Sequence, residues 1–188
     1  MEHRLERILS FANEDDAAMA RLAAGDQHAL DILFARHSQQ VHRLTTGILG
    51  DSALAEDVVS DTFLAVAEAS QRYRPGAFVP WLLRIARNRA IAELRSRRRR
   101  EGLIARLTER LSASAPNGCG ADLDLQSALS ALPEEQRTLL VLRDGLGLDY
   151  TEIAAVLGCR ADAARGRALR ARRALRRVLL EMGWSPDN

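Results

Sequence analysis

The sequence predicts an all-α chain made of two small helical domains. Leu, Ala, Arg and Glu dominate the composition, which favours helix. Apolar residues recur every three or four positions over most of the chain, and no segment alternates as a strand does. The stretch 112–122 (SASAPNGCGAD) is rich in small residues, Pro and Gly, which predicts a flexible linker. We therefore expect one domain at 1–111, the linker at 112–122 and a second domain at 123–188.

The first domain begins with two short predicted helices and a longer one. Residues 1–13 can form an amphipathic helix, and 15–24 a second helix with Asp15 and Asp16 as candidate caps. Residues 26–49 predict the longer helix, because apolar positions keep helical spacing through Leu30, Leu33, Phe34, His37, Val41, Leu44 and Ile48. Gly50 and Asp51 then stop this helix and cap the next one.

A helix at 52–72 is predicted to have two different faces. Its core face would carry Leu54, Val58 and either Thr62 or Phe63. Its other face carries Glu56, Asp57 and Asp61. Acidic residues on a helix face usually only increase solubility, but they can also dock a basic surface of a partner.

A turn and a basic helix follow. Residues 73–76 (YRPG) predict the turn, and Pro80 suits the first turn of a helix over 81–100. A stripe with three- and four-residue spacing runs along that helix through Arg84, Arg87, Ile91, Arg95 and Arg98. The stripe can bind a phosphate backbone, and nearby Tyr73, Phe78 and Trp81 can stack on unpaired bases. The alternative is that Phe78 and Trp81 belong to the core.

The second domain is predicted to contain four helices. They are expected at 123–131, from Pro133 to Gly145 or Gly147, at 150–157 and at 161–182. A short helix, a three-residue turn at 158–160 and a long arginine-rich helix have helix-turn-helix geometry. An arginine side chain there can hold a guanine edge or a phosphate with two hydrogen bonds. The alternative is an ordinary helical hairpin with a solvated basic face.

Charge follows an acidic–basic–acidic–basic order along the chain. All 27 basic residues counted as Lys or Arg are arginines. Residues 71–111 carry a net charge of +9 and residues 160–188 carry +5, whereas 1–70 carry −7 and 112–159 carry −5. This order predicts two basic surfaces for a polyanion, each joined to a surface with another role.

Several function classes have no support in the sequence. No combination of residues suggests a catalytic site, so we expect no enzymatic activity. The four histidines and two cysteines lack metal-ligand spacing, and no phosphate-binding loop occurs, so we expect no metal and no cofactor. Two distant cysteines, without a signal peptide or a membrane span, predict a reduced cytoplasmic protein with no membrane insertion.

Three motifs in order resemble the extracytoplasmic-function (ECF) sigma factors of bacterial RNA polymerase. Residues 55–63 (AEDVVSDTF) resemble that family's AEDLVQETF signature in region 2. Residues 81–88 (WLLRIARN) are similar to its WLxxIAxN, and 132–137 (LPEEQR) to the start of its region 4. The similarity covers roughly residues 15–180. It departs at the opening of the last helix, where Gly166 lies inside the helix and the usual proline, threonine and serine are absent.

The resemblance implies roles and partners for these surfaces. Core RNA polymerase would be bound by Glu56, Asp57 and Asp61. The −10 promoter element would be bound by Tyr73, Arg74, Phe78, Arg84, Arg87, Asn88 and Ile91. The −35 element would be bound by Arg165, Arg167, Leu169, Arg170 and Arg172. The resemblance also implies an anti-sigma factor as an inhibitor. The alternative function is a stand-alone helix-turn-helix regulator, which would need neither the acidic face nor the aromatic loop.

Overall fold

The computed structural model of the protein describes residues 14–107 and 121–184, and its side chains at 14–101 and 125–184. In these ranges the chain forms helices and turns without a strand, which confirms the all-α prediction. The predictions for 1–13 and for nearly all of the linker lie outside the described residues.

Within residues 14–107, the N-terminal domain forms four helices. They are α1 (14–23), α2 (His28–Leu49), α3 (Ser52–Ala69) and α4 (Phe78–Leu107), with a 3₁₀ turn at Ser70–Arg72. Gly50 ends α2 in the left-handed conformation, with φ of 70°, and the Asp51 carboxylate caps α3 by accepting from the Leu54 amide. Helix α4 begins three residues earlier than predicted, and its first turn is closed by the Trp81 amide, which donates to the Ala77 carbonyl at 3.1 Å.

Helices α2, α3 and α4 pack against one another around the first core. Its largest fully buried side chains include Leu33, Leu44, Ile48, Leu82 and Leu83. Asp15 and Asp16 lie inside α1 rather than at its cap, contrary to the prediction. The buried Asp15 carboxylate is instead 2.9 Å from His37 Nε2, so it satisfies a polar side chain of α2 that would otherwise lie in the core.

The C-terminal domain contains α5 (Ala121–Ser130), α6 (Glu134–Leu140), α7 (Tyr150–Leu157) and α8 (Ala161–Glu181). The helix predicted from Pro133 to Gly145 or Gly147 changes character near its end, because Val141–Gly145 form a π-helical turn. The Leu146 amide closes that turn on the Val141 carbonyl at 2.9 Å.

The two domains pack directly on each other. Helix α2 contacts α5, α6 and the π turn, and α4 contacts α7. A single cluster of buried apolar residues runs from the N-terminal domain into Leu139, Leu142 and Ile153 of the C-terminal domain. The sequence predicts two separate domains and gives no indication of this contact.

Candidate nucleic-acid interface

The exposed face of α4 carries basic and polar side chains. Arg84 and Asn88 are exposed one turn apart, and Arg95 is exposed further along the helix. Arg87 is half-buried and donates from Nη1 to Asn88 Oδ1 at 3.2 Å, which couples these neighbouring side chains. This face can hold phosphates and still present polar groups to bases.

An aromatic cluster supports the loop before α4. The Tyr73 ring lies 4.9 Å from Trp81 and 5.9 Å from Phe78, measured between ring centroids. The Tyr73 hydroxyl donates to Asp16 Oδ1 at 2.5 Å. Burial, together with this hydrogen bond, raises the pKa of Tyr73 well above its usual value, so the phenol stays neutral. Helix α1 therefore anchors the loop through Asp16, for which the sequence predicts only a cap.

Two of the predicted −10 residues lie in the core. Phe78 is buried against His37 and Tyr73 in the first turn of α4, and Ile91 is buried further along the helix. These two side chains shape the surface from below, whereas Arg74, Arg84 and Asn88 are exposed on it. The side chains of Tyr73 and Arg87 are half-buried.

Helices α7 and α8 have the predicted helix-turn-helix arrangement. Asp149 and Glu152 form a reciprocal capping box at the start of α7. Gly158 ends α7 with φ of 66°, a conformation that favours glycine. Ala164 and Ala168 are fully buried on α8, and these small side chains allow the two helices to approach closely.

The predicted −35 residues divide into an exposed group and an ion-paired group. Arg165, Leu169 and Arg170 are exposed on α8. Arg167 Nη1 lies 2.5 Å from Glu135 Oε1, and Arg172 is paired with Asp144. The carboxylates fix the positions of these two arginines, but a phosphate would have to compete with them. Spacing within one helix cannot reveal such partners, because they come from α6 and the π turn.

Tyr150 is a site residue that the sequence analysis missed. The Arg143 guanidinium lies 4.9 Å from the centre of the Tyr150 ring, and that of Arg165 lies 5.4 Å from it. Such cation–π contacts limit the motion of both guanidinium groups. Tyr150 therefore orients Arg165 near the start of α8.

The acidic face of α3 lies beside an exposed aromatic ring. Glu56, Asp57 and Asp61 are exposed as predicted, and Asp61 is 3.8 Å from Arg89. Phe34, which the α2 pattern places in the core, is 43% exposed and lies 4.9 Å from the Phe63 ring. Phe34 and Glu56 line the same shallow groove. A surface with carboxylates around an apolar centre suits a protein partner.

The described residues contain neither a cluster of metal ligands nor a membrane-spanning helix. Within them, no three His, Cys, Asp or Glu side chains are grouped as metal ligands would be. None of the helices in the described ranges has the length and apolar character required to cross a membrane.

Two family models match most of the chain. Residues 33–100 match Sigma-70 region 2, and residues 122–175 match Sigma-70, region 4. The first match contains the acidic face of α3 and most of the basic helix α4, and the second contains α7 and most of α8.

Known proteins extend the similarity over both domains. The ECF RNA polymerase sigma factor SigE of Mycolicibacterium smegmatis is 38% identical over 167 residues, which cover 84% of this chain and 65% of that relative. The RNA polymerase sigma factor CarQ of Myxococcus xanthus is 38% identical over 168 residues, which cover 87% of this chain and 97% of CarQ.

Solved structures have the same arrangement of helices. CnrH, solved in complex with the cytosolic domain of CnrY, is 30% identical with a TM-score of 0.69, covering 88% of this chain and 97% of CnrH. The sigma factor RpoE of Bartonella quintana, solved with the anti-sigma factor NepR, shares the fold at 24% identity and a TM-score of 0.61, covering 79% and 95%.

Proposed function

This chain belongs to the sigma-70 family of RNA polymerase sigma factors, in its ECF group, and we propose that its two domains bind two separate promoter elements. The observation that carries the proposal is the pairing of a basic helix and a helix-turn-helix with the acidic face of α3. A stand-alone DNA-binding regulator would need the helix-turn-helix alone.

The N-terminal domain binds the −10 element on its aromatic loop and on α4. Tyr73 and Arg74 lie in the loop, and Arg84, Arg87 and Asn88 continue the surface, with Phe78 and Ile91 supporting it from the core. Removing a base from the duplex stack costs a few kcal/mol. Stacking on an aromatic side chain contributes about 1–3 kcal/mol per base, which is enough to offset much of that cost.

The C-terminal domain binds the −35 element with α8. Arg165, Leu169 and Arg170 enter the major groove, and Arg167 and Arg172 reach flanking phosphates after exchanging their carboxylate partners. A good bidentate contact between arginine and guanine contributes about 1–3 kcal/mol of discrimination. Leu169 is suited to contact a thymine methyl group.

Core polymerase binds the acidic face of α3 through Glu56, Asp57 and Asp61. The domains extend over 1–111 and 123–188, with 112–122 as the linker. The protein acts in the cytoplasm, without catalytic activity of its own. CnrH is solved with a protein partner, the cytosolic domain of CnrY, and this complex supports the proposal that an anti-sigma factor binds this chain as well.

Reversing one charge on the acidic face tests the polymerase contact. Asp57→Arg should weaken binding to bacterial core polymerase by about tenfold or more, because it replaces an attraction with a repulsion. Fluorescence anisotropy with labelled chain measures this affinity. Binding of the same variant to −35 duplex should not change, because Asp57 lies in the other domain.

Glu181→Arg is the matched control, since it makes the same charge change at an exposed position near the end of α8. It should leave the affinity for core polymerase near that of the unmodified chain. Equal affinities of all three chains for core polymerase would contradict the docking role of α3.

A further inference from the structure

A cavity of about 460 Å³ lies among α2, α5, the π turn and α8. Its apolar lining comes mostly from the side chains of Leu125, Leu129, Leu140, Val141 and Leu175. Leu125 is 46% exposed, so the cavity is open to solvent on that side. The volume lies within the range of about 300–1,000 Å³ that is typical of small-molecule sites. None of the described residues that line it is assigned above to promoter DNA or to polymerase.

Two polar atoms at this cavity are buried without a protein partner. Thr46 Oγ1 of α2 and Gln126 Nε2 of α5 are shielded from solvent, and neither has a hydrogen-bond partner among the described residues. Most buried polar groups in folded proteins are hydrogen-bonded, so each exception requires an explanation. Both atoms can donate a hydrogen bond. A ligand oxygen that accepts hydrogen bonds would therefore satisfy both of them.

The two unpartnered atoms lie near each other because α5 meets the end of α2. Gln126 Nε2 lies 3.2 Å from the position that a Cβ atom would take at Gly50. Thr46 is one helical turn before Gly50, whose amide donates to the Thr46 carbonyl at 2.8 Å. Residues four apart on a helix lie on the same side of it. The Thr46 hydroxyl and the Gln126 amide can thus contact one small head group.

The charges around the cavity favour an anion. Arg43 of α2 lines the cavity, and its side chain is exposed. Among the described residues of the lining, Asp144 is the only acid, and its carboxylate is paired with Arg172. An ionised carboxylate only accepts hydrogen bonds, so it matches the donors of Arg43, Thr46 and Gln126. The polar side of the cavity is therefore complementary to a carboxylate, and the rest of it to an apolar chain.

We propose that this cavity binds a free amphipathic monocarboxylate, such as a medium-chain fatty acid. The ligand carboxylate accepts hydrogen bonds from Arg43, Thr46 and Gln126, and the alkyl chain lies against the leucines of α5, α6 and α8. Burial of the alkyl chain drives binding, because each CH₂ group that leaves water favours the complex. The proposal goes beyond the promoter-binding function and does not depend on it.

Isothermal titration calorimetry of the full chain with octanoate, octylamine and octanol tests the proposal. At neutral pH octanoate is an anion and octylamine a cation, because the pKa values of such groups lie near about 4 and about 10. The three probes share one alkyl chain, so they differ only in the head group. Octanoate should bind about tenfold or more tightly than either of the others. Equal binding of octanoate and octanol would overturn the proposal and indicate an apolar groove for a helix of a protein partner.

Removal of the Arg43 charge tests whether the ligand lies in this cavity. Arg43→Gln changes an exposed side chain and should weaken octanoate binding about tenfold, because a charge-assisted hydrogen bond is lost. Arg176→Gln is the matched control, since it removes an exposed arginine of α8 that does not line the cavity. The control should bind octanoate as the unmodified chain does. Equal affinities of all three chains for octanoate would contradict the assigned site.

Thr46→Val separates ligand binding from folding, because the two properties should change in opposite directions. Valine has the shape of threonine without the hydroxyl group, so the substitution removes a buried polar atom that has no partner among the described residues. Tm should rise, since such an atom destabilises the folded chain. The affinity for octanoate should fall about threefold or more, because the head group loses a donor. A rise in Tm without any loss of affinity would show that Thr46 does not contact the ligand, and the proposal would fail.

Discussion

At the residue scale, Tyr73 links the N-terminal helix to the proposed base-binding loop. Its ring packs on Trp81 and its hydroxyl donates to Asp16, so the side chain is held before any DNA arrives. A side chain that is already fixed loses less conformational freedom on binding. Tyr73 is therefore a positioned contact in the loop.

The Tyr73 hydroxyl should make stability depend on pH under alkaline conditions. Burial and the Asp16 carboxylate raise the pKa of Tyr73 above its ordinary value of about 10, so the unfolded chain loses this proton first. The free energy of unfolding should then fall as pH rises above about 10, and fall less in Tyr73→Phe. Urea denaturation at pH values below and above 10 measures this difference.

The composition of the chain helps to assign a change in stability above pH 10 to Tyr73. The chain contains no lysine and only two tyrosines and two cysteines, so few other groups change charge there. Tyr150→Phe is the matched control, since it removes the hydroxyl group of the other tyrosine. Parallel curves for Tyr73→Phe and the unmodified chain would show that the hydrogen bond to Asp16 does not form in solution.

The sequence predicts which residue types occupy the site better than it predicts which of these side chains are exposed. The motif at 81–88 locates Arg84 and Asn88 on the exposed face of α4. Phe78 and Ile91 are buried, and Phe34 is exposed, because helix periodicity identifies an apolar stripe but not its edges. The partners of Arg167 and Arg172 lie about 30 positions away, beyond any local pattern.

At the element scale, the helices are predicted well because caps and apolar spacing agree. Gly50, Asp51 and Gly158 occupy the ends that the sequence assigns to them. The π turn at Val141–Gly145 is not predicted, because its apolar residues also fit an ordinary helix. The wider π-helical geometry occurs where this segment contacts α2.

Two glycines inside helices should respond oppositely to the same substitution. A Cβ at Gly166 would meet nothing closer than Arg170 Nη1 at 3.7 Å, so Gly166→Ala should stabilise the chain by about 1 kcal/mol. For a chain of this size, that raises Tm by about 2–4 °C. Gly47→Ala should not raise Tm, because the added methyl group collides with Val141.

Val141→Ala removes the two methyl groups with which a Cβ at position 47 would collide. Together with Gly47→Ala it forms a double-mutant cycle. In that background Gly47→Ala should recover the stabilisation that helix propensity predicts. An equal rise in Tm for Gly47→Ala and Gly166→Ala in the unmodified chain would mean that α2 does not meet Val141 in solution.

At the scale of the whole molecule, the sequence predicts the two domains but not their contact. The contact depends on single complementary positions, such as Gly47 with Val141 and Arg137 with the Ile48 carbonyl. These positions carry no periodicity and are about 90 residues apart, so only the folded chain brings them together. The alternating charge order corresponds only in part to separate surfaces, because Glu134 and Glu135 of an acidic segment pair with Arg95 and Arg167 of the two basic segments.

Run-off transcription with purified bacterial core polymerase and a genomic promoter library tests the central claim most directly. Addition of this chain should produce transcripts from a defined subset of promoters, and these promoters should share sequence at both −10 and −35. Core polymerase alone should not start at them. The absence of chain-dependent transcripts, together with no binding to core polymerase, would contradict the account.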